Sequence, residues 1–242
     1  MSVALETRPT TGTGTATPRH FLDIRDCSAE TIRQILEVSS KVKALQNGRR
    51  RPLHPERPLE GHTLGLMLAQ PSTRTRVSFE VGMGQLGGLV SVLSPSDMQL
   101  GRGESVADTA RVLSRFLDVI VLRTSDDSAL RELAKWSTIP VINGLTPVSH
   151  PIQILADVLT FEEHRGPIRG KTLAWIGDGN NVATSLIEMA ALLDFNVRLA
   201  TPGGFEPSAE AVTWARHRGA KIDVLRNPAE AVSRADAVLT DT

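Results

Sequence analysis

From Phe21 to its end, the chain alternates short apolar runs with longer mixed runs, the pattern of strands and crossover helices in a parallel sheet. In the first half, apolar runs predict strands at residues 63–69, 90–93, 119–122 and 140–143. The mixed runs predict helices near residues 106–115, 128–136 and 151–163, the last with proline in its first turn. A further helix is predicted after Pro71, although Gly82 and Gly84 weaken its pattern.

A polar segment rich in glycine and proline, residues 165–170, interrupts this alternation, and the cycle then restarts. Beyond it we predict strands at 172–176, 197–200, 222–225 and 237–240, and helices at 182–193, 208–218 and 228–234. The sequence therefore predicts an α/β fold with two domains, each a parallel sheet flanked by helices, joined by a helix. We expect a first domain at 21–150, a linking helix and hinge at 151–169, and a second domain at 170–242.

Residues 1–20 carry too few apolar side chains to offset the entropy of ordering them, so we expect a flexible tail. Arg8 and Arg19, with the threonines around them, fit a transit peptide weakly. Glu6 and the lack of an amphipathic pattern argue against that interpretation.

The charges balance, with 27 Lys+Arg against 27 Asp+Glu, so no global field recruits nucleic acid or an acidic membrane. No apolar run is long enough to span a bilayer, and the first residues lack a basic n-region. The only cysteine, Cys27, excludes an intrachain disulfide and a cysteine-based zinc cluster, which fits a reducing compartment. We expect a cytoplasmic protein with no nucleic-acid or membrane partner.

The most specific chemical signal is the run Pro-Ser-Thr-Arg-Thr-Arg at residues 71–76, where a predicted strand gives way to a helix. Ser72 or the threonine after it can cap that helix. The unpaired N–H groups and the positive dipole end of a helix N-terminus bind phosphate, and Arg74 can grip such an anion through two hydrogen bonds. The alternative is a capped helix whose arginines lie in water or pair with Glu80, four residues beyond Arg76.

The run 72–80 resembles the carbamoyl phosphate loop of the aspartate and ornithine carbamoyltransferases, and three further blocks agree with that family. They are Met-Gln-Leu-Gly-Arg-Gly-Glu-Ser at 98–105 with Asp-Thr-Ala-Arg-Val-Leu at 108–113, Asn-Gly-Leu-Thr at 143–146 with His-Pro-Ile-Gln at 150–153, and Gly-Asp-Gly-Asn-Asn at 177–181. The resemblance runs from about Phe21 to the last residue. The order and spacing of the blocks favour the ornithine branch of the family.

The resemblance implies a role for each matching residue. Ser72, Thr73, Arg74 and Thr75 would bind the phosphate of carbamoyl phosphate, Arg123, His150 and Gln153 would hold its carbamoyl end, and Asn181 and Asp241 would contact ornithine. Arg74, Arg123 and His150 are the implied catalytic residues. Gln99 matches a position that completes a neighbouring subunit's phosphate site, which implies a cyclic trimer or a multiple of one.

Some of these residues also have plainer explanations. Arg123 alone would be read as a surface arginine, and a structural histidine beside proline is about as common as a ligand-binding one. Asn181 can be a helix cap, and Asp241 can belong to a frayed terminus. What favours a site is convergence, since the candidates follow several predicted strands, whose carboxyl ends meet at one edge of a parallel sheet.

The implied reaction is transfer of the carbamoyl group of carbamoyl phosphate to the side-chain amine of L-ornithine, giving L-citrulline and phosphate. It serves arginine biosynthesis or runs in the reverse, catabolic direction. The family pattern requires no metal and no cofactor.

The sequence departs from the ornithine branch in two places. Leu-Ala-Gln at 68–70 replaces Phe-Glu-Lys, and after Asp241 the Ser-Met-Gly loop, the His-Cys-Leu-Pro segment and the final helix have no counterpart. We therefore expect a second domain that is incomplete at its C-terminal end. Another acceptor amine, such as aspartate, putrescine or acetylated ornithine, and a non-catalytic relative that only binds the donor remain as alternatives.

A dinucleotide-binding module built on the glycines at 177–179 is a different alternative. It fails because Val182 occupies the third glycine position and residues 198–201 offer no acidic side chain for a ribose.

Overall fold

The computed structural model describes residues 19–45, 53–94 and 103–241 and contains two parallel four-stranded sheets flanked by helices. The strands are β1 Thr63–Leu68, β2 Leu89–Leu93, β3 Val119–Arg123, β4 Val141–Leu145, β5 Thr172–Ile176, β6 Asn196–Ala200, β7 Ile222–Leu225 and β8 Ala237–Leu239. The helices are α1 Ala29–Ala44, α2 Thr73–Gln85, α3 Val106–Leu113, α4 Asp127–Trp136, α5 Pro151–Arg165, α6 Asn181–Leu193, α7 Ala209–His217 and α8 Pro228–Val232. The predicted α/β fold with two sheets is confirmed. Most of the predicted tail, residues 1–18, lies outside the described residues.

The first sheet has the strand order β2-β1-β3-β4, with all pairs parallel. The two central strands are nearly continuous apolar runs, as strands covered on both faces must be: five of the six positions of β1 and the middle three of β3 are buried. Phe21 extends the β4 side, since its N–H donates to the Val141 carbonyl at 2.8 Å and its carbonyl accepts from the Asn143 N–H at 2.8 Å.

The second sheet has the order β7-β6-β5-β8 and is also parallel throughout. Leu173, Ala174 and Trp175 of β5 are buried, in accord with the central place of this strand. The three-residue β8 forms one edge, where a short strand limits the row of unpaired backbone groups.

In each sheet the strand order changes direction at one strand, and such a change marks the usual place of a ligand site. In the first sheet β2 and β3 lie on opposite sides of β1, and in the second β6 and β8 lie on opposite sides of β5. In open α/β sheets, ligands bind outside the carboxyl ends of the strands at such a reversal. The segments that leave these ends are the start of α2, Arg123, the start of α6 and Asp241.

Helix α1 was not among the predicted elements. It begins after Ser28, whose Oγ accepts the Thr31 N–H at 3.1 Å, and it buries Ile32 and Leu36 one turn apart. These side chains share a hydrophobic core with Phe161 of α5 and with the second sheet. The start of the described chain therefore pairs with the first sheet through Phe21 and packs into the core of the second domain a few residues later.

Helix α2 forms despite its two interior glycines. No described atom lies within 4 Å of a Cβ added at Gly82 or Gly84, so both face open space. Met83 is the only buried residue of α2. This small buried face explains why the apolar pattern of residues 73–85 is weak.

Candidate active site

A cleft of about 760 Å³ lies where the two sheets present the carboxyl ends of β1, β3, β5 and β8. Its walls contain Ser72, Arg74, Thr75, Arg123, His150, Gln153, Asn181 and Asp241, together with Phe79, Gly144, Asp157 and Trp175. The first domain supplies one wall and the second domain the other. A cleft of this size suits a small ligand pair rather than a macromolecule.

The N-terminus of α2 opens into this cleft. Ser72 is its N-cap, as predicted: the Ser72 Oγ accepts the Thr75 N–H at 3.4 Å and donates to the Thr75 Oγ1 at 2.9 Å. The first turn contains no acidic residue. The remaining N–H groups and the positive end of the helix dipole are thus available to an anion.

Two guanidinium groups border this helix terminus without a compensating carboxylate. Neither Arg74 nor Arg123 forms an ion pair with any acid in the described ranges, and Arg123 instead donates to the Thr75 Oγ1 at 3.3 Å. The Arg123 Nε is buried with no hydrogen-bond partner there. Burial and then the nearby Arg74 charge lower the Arg123 pKa. Such a pair is an unneutralised positive site.

Arg76, by contrast, forms the ion pair with Glu80 that the alternative interpretation of this helix predicts. Its Nε lies 3.3 Å from the Glu80 carboxylate, one turn along α2. Of the two arginines in the predicted anion loop, only Arg74 lies in the cleft wall.

His150 reaches the cleft from the residue that precedes α5, and its conformation is fixed from the second domain. Its backbone N–H donates to the Ser185 Oγ of α6 at 2.9 Å. Its Nδ1 is buried without a partner among the described residues. Burial, followed by the Arg123 charge and opposed by Asp241, lowers the His150 pKa to about 4. The imidazole is therefore neutral near pH 7.

A buried polar network supports the loop that leads from β4 to His150. The Asn143 amide donates to the Ser149 Oγ at 3.0 Å, the Ser149 hydroxyl donates to the Asp23 Oδ1, and the other Asp23 oxygen accepts from Arg131 at 2.6 Å. The Thr146 Oγ1 accepts the Ser149 N–H at 3.3 Å. The Asn143 Oδ1 is buried without a partner among the described residues. The bonds of the network tie the loop to Asp23 and to β4, which limits its freedom to move.

A bulge in β4 shapes the floor of the cleft beside this loop. The pairing register between β3 and β4 shifts after Leu122, which leaves Gly144 as the extra residue. A Cβ at Gly144 would lie 3.0 Å from a Val121 methyl group and 3.1 Å from the Leu122 carbonyl. The glycine of the Asn-Gly-Leu-Thr block thus permits close approach of two backbones.

Gln153 lies in the first turn of α5, one turn before Asp157. Its Nε2 donates to the Asp157 Oδ1 at 2.9 Å. Burial raises the pKa of the Asp157 carboxyl, Asp241 raises it further, and the bond from Gln153 opposes both. Asp157 was not among the predicted site residues, since a single aspartate four residues after Gln153 is an ordinary helix-surface pattern.

The second-domain wall is organised by two adjacent asparagines at the start of α6. Asn180 is the N-cap: its Oδ1 accepts the Val182 and Ala183 N–H groups at 2.9 and 3.1 Å, and its Nδ2 donates to the Asp241 Oδ2 at 2.8 Å. The interpretation of Asn181 as the cap was wrong by one residue. Asn181 donates instead to the Thr146 carbonyl of the first domain, at 2.6 Å.

The turn that carries these asparagines depends on Gly179. A Cβ there would overlap the backbone of Pro207, in the segment after β6. The glycines at 177–179 thus serve tight packing of the turn, which agrees with the failed dinucleotide pattern.

Comparison with known proteins identifies the family. Residues 19–163 match the model of the aspartate/ornithine carbamoyltransferase carbamoyl-P binding domain, and residues 169–242 match that of the Asp/Orn binding domain. The chain belongs to the aspartate/ornithine carbamoyltransferase family. The boundary between the two matches falls where α5 ends.

Relatives in this family place the chain beside the ornithine enzymes. It is 53% identical over 224 residues to an ornithine carbamoyltransferase of Brucella ovis, covering 93% of this chain and 70% of the relative. It is 51% identical over 226 residues to an ornithine carbamoyltransferase of Rhodopseudomonas palustris, covering 93% of this chain and 72% of the relative.

Solved structures of the family agree with the fold. The ornithine carbamoyltransferase from Pyrococcus furiosus superposes with a TM-score of 0.87 at 45% identity, over 93% of this chain and 72% of that one. The Burkholderia thailandensis enzyme gives 0.84 at 43% identity, over 93% and 75%.

Of the ten positions singled out from the carbamoyltransferase resemblance, eight line the cleft. Thr73 is the first residue of α2 and is exposed beside the cleft wall. Gln99 lies outside the described residues. Sequence reasoning missed Asp157, Ser185 and Asp23. The sequence marks these three residues only as polar side chains in segments whose apolar pattern predicts burial.

Two further properties concern the described ranges as a whole. Within residues 19–45, 53–94 and 103–241, no group of three or more His, Cys, Asp or Glu side chains is arranged to hold a metal ion. None of the helices in this part of the chain has both the length and the apolar character needed to cross a bilayer.

Proposed function

We propose that this chain transfers the carbamoyl group of carbamoyl phosphate to the side-chain amine of L-ornithine, giving L-citrulline and phosphate. The observation that carries the proposal is the composition of the cleft between the two sheets. Its first-domain wall holds the N-terminus of α2 beside Arg74 and Arg123, neither of which has an ion-pair partner in the part of the chain that the structure describes. Its second-domain wall holds Asn181 and Asp241. The first domain (21–150) binds the donor, the second (170–242) binds the acceptor, and residues 151–169 link them.

The phosphate of the donor docks on the N-terminus of α2. Ser72, Thr73, Arg74 and Thr75 supply the hydroxyl, guanidinium and backbone donors. Arg123 is already hydrogen-bonded to Thr75 and stands at the same site. Burial and then the Arg74 charge lower the Arg123 pKa, and a phosphate dianion at this place offsets the repulsion between the two guanidinium groups, which supports the placement.

The carbamoyl end of the donor lies against Arg123, His150 and Gln153. A neutral imidazole carries its proton on one of its two nitrogens. The proton is better placed on the nitrogen that can donate it, because a buried N–H group without an acceptor costs free energy. His150 therefore keeps its proton on Nε2, because Nδ1 is the buried, unpartnered atom. It donates to the carbamoyl oxygen as a neutral acid, beside the charged Arg123.

The reaction is attack of the neutral amine on the carbamoyl carbon. A C–N bond forms, negative charge collects on the carbamoyl oxygen, the C–O bond to phosphate breaks, and the amine proton is released. Arg74, Arg123 and His150 face the charge that develops, so they are the catalytic residues. Positioning and preorganised charge can each supply several kcal/mol of barrier lowering, on the order of 3 or more. No metal or cofactor is required.

The acceptor half of the cleft fits an amino acid with a positively charged α-amino group. Asp241 offers a carboxylate that is held by Asn180, and the Asn181 amide is anchored to the Thr146 carbonyl, which leaves its Oδ1 as an acceptor. Both groups favour an ammonium ligand. Ornithine carbamoyltransferase relatives at 53% identity support ornithine as that acceptor.

We further propose that the active assembly is a cyclic trimer or a multiple of one, in which Gln99 of one copy completes the phosphate site of the next. The cytoplasm suits the reaction, and the single cysteine accords with that reducing compartment. Light scattering during size-exclusion chromatography measures the mass. A Gln99→Ala variant that stays trimeric but loses donor affinity supports the shared site.

The deciding experiment is an assay of this 242-residue chain with carbamoyl phosphate and one amine at a time. Ornithine, aspartate, putrescine and acetylated ornithine are compared. Citrulline from ornithine alone supports the proposal. A product with another amine reassigns the acceptor. No product from any amine, with carbamoyl phosphate still bound, identifies a donor-binding relative without turnover.

A further inference from the structure

The Gln153 side chain poses a problem of orientation. An amide presents a donor at one end and an acceptor at the other, and the two ends have nearly the same shape. Only its carbonyl end can accept from the NH2 group of a carbamoyl ligand. Something in the site has to decide which end faces the cleft.

We infer that Asp157 is a positioning residue that fixes the Gln153 amide and so lets the site select a carbamoyl group over an acyl group of the same shape. This inference rests on the proposed function, because it specifies how the donor half of that cleft recognises its ligand.

The hydrogen bond between the two residues has one chemically permitted direction. Gln153 and Asp157 lie one turn apart on α5, and the Gln153 Nε2 donates to the Asp157 Oδ1 at 2.9 Å. A carboxylate accepts hydrogen bonds and does not donate them. The amide nitrogen must therefore point at Asp157, and the Gln153 Oε1 is left for the cleft.

Among the described residues, Gln153 is the one side-chain hydrogen-bond partner of the Asp157 carboxylate. It lines the cleft and forms no ion pair with a cation in the described ranges. Burial disfavours its charge and the Asp241 carboxylate adds repulsion, and both raise its pKa. A carboxylate held against these two effects, with a single hydrogen bond to a cleft residue, is arranged to orient that residue.

Acetyl phosphate provides a direct probe, because it replaces the NH2 of carbamoyl phosphate by a methyl group and keeps the carbonyl and the phosphate. An oriented Gln153 carbonyl gains a hydrogen bond from carbamoyl phosphate and none from acetyl phosphate. The wild-type chain should therefore bind carbamoyl phosphate about tenfold more tightly, the equivalent of one hydrogen bond.

The experiment compares dissociation constants of carbamoyl phosphate and acetyl phosphate for the full chain, four variants of the Gln153 and Asp157 pair, and one control variant, by calorimetry. Asp157→Ala should lose most of the preference for carbamoyl phosphate and keep its affinity for acetyl phosphate within about twofold. Asp157→Asn should lose part of it, since an asparagine permits either amide orientation. Gln153→Ala should lose all of it, and the double variant Asp157→Ala/Gln153→Ala should resemble Gln153→Ala alone. Asp223→Asn, an exposed change on β7, is the control for loss of a carboxylate.

The outcomes separate this inference from the proposed function. If the wild-type chain does not bind carbamoyl phosphate, the proposed function falls and the inference with it. If the wild-type chain shows the preference and Asp157→Ala retains it, only the role of Asp157 is overturned. The role is also overturned if Asp157→Ala weakens both ligands equally, or if it still weakens carbamoyl phosphate binding when Gln153 is already alanine.

Discussion

The backbone N–H of His150 donates to the Ser185 Oγ at 2.9 Å, so a helix of the second domain holds a residue of the opposite cleft wall in place. Ser185 lies one turn after Asn181 on α6, and Glu188 follows after almost another turn. All three bond to backbone groups outside their own domain, at His150, Thr146 and Arg25. This face of α6 links the second-domain wall of the cleft directly to His150.

We predict that Ser185→Ala lowers kcat about three- to tenfold with the fold intact. The change leaves the His150 N–H without its acceptor, and an unmade buried hydrogen bond costs about 1–3 kcal/mol. We expect the His150 backbone to shift in response, and the displaced ring then lowers the rate. Steady-state kinetics and circular dichroism measure both effects. Ser39→Ala is the matched control, because the hydroxyl of Ser39 donates to the Ile35 carbonyl of its own helix and has no partner in the second domain among the described residues. Equal kinetics for the two variants would contradict a role for Ser185.

Arg74→Ala should abolish measurable carbamoyl phosphate binding while the circular dichroism spectrum stays unchanged. Arg74 is exposed in the cleft wall and has no ion-pair partner in the described ranges, so its loss removes ligand contacts and no structural ones. Arg76→Ala, two residues along, removes an exposed ion pair with Glu80 worth about 0.5 kcal/mol and should leave binding within about twofold. Unchanged binding in Arg74→Ala would sink the anion site.

His150 should titrate near pH 4 in the folded protein, well below an exposed histidine. Burial is the first cause and the Arg123 charge the second, so Arg123→Gln should raise the His150 pKa while leaving it below 6.5. Because the lowered pKa keeps the ring neutral, this group should produce no loss of kcat/KM between pH 6 and 8. Titration of the ring resonances by NMR tests the prediction, and a wild-type midpoint near 6.5 would refute it.

Two glycine substitutions should have opposite signs. Gly179→Ala places a Cβ into the backbone of Pro207 and should destabilise the chain by about 1–3 kcal/mol, since backbone cannot move aside as a flexible side chain can. Gly82→Ala faces open space within α2 and should stabilise it by about 0.5–1 kcal/mol. Urea unfolding of the two variants beside the wild type gives both values, and equal signs would contradict the packing described for the 177–179 turn.

The sheet strands were predictable because buried parallel strands are apolar runs bounded by polar turns. The predicted bounds of β5 and β7 agree with the structure at both ends. The predicted start of β4 is one residue too early, because Pro140 was included in the strand. Helix α1 was missed, since its buried stripe consists of Ile32 and Leu36 alone within a polar segment. A serine cap followed by that spacing was its only local signal.

The candidate site was predictable where one short motif carries the chemistry, as at the N-terminus of α2. The groups that orient the site were not. Asp23 and Ser185 bond to partners 35 to 126 residues away along the chain, as in the bond from Ser149 to Asp23. These two contacts depend on how the chain packs in three dimensions, and local sequence patterns carry no record of them. Asp157 bonds to Gln153 within α5, at a spacing that is common on helix surfaces and therefore gives no specific signal.

Glu188 gives a prediction about stability and pH. It is buried on α6 beside Asp23 and Arg25. Burial raises its pKa from 4.5 to about 7; the charges of Asp23 and Asp26 also raise this pKa, and the charge of Arg25 lowers it. Between these two values the unfolded chain releases the Glu188 proton while the folded chain retains it. This group therefore lowers stability progressively as pH rises from about 4.5 to 7, and the full penalty applies above that range. At 1.36 kcal/mol per pH unit, the penalty is up to about 3 kcal/mol.

Glu188→Gln removes this penalty and keeps an oxygen that can accept the Arg25 N–H, which the Glu188 Oε2 now accepts at 3.3 Å. The variant should be more stable than the wild type at pH 8, and the difference should shrink towards pH 5, where the wild-type carboxyl is mostly protonated in the folded state. Melting temperatures of both proteins across this range test it, with Glu210→Gln as the control for the exposed partner of Arg25. A variant that is less stable at pH 8 would mean that the ion pair with Arg25 outweighs burial, and that Glu188 is ionised throughout.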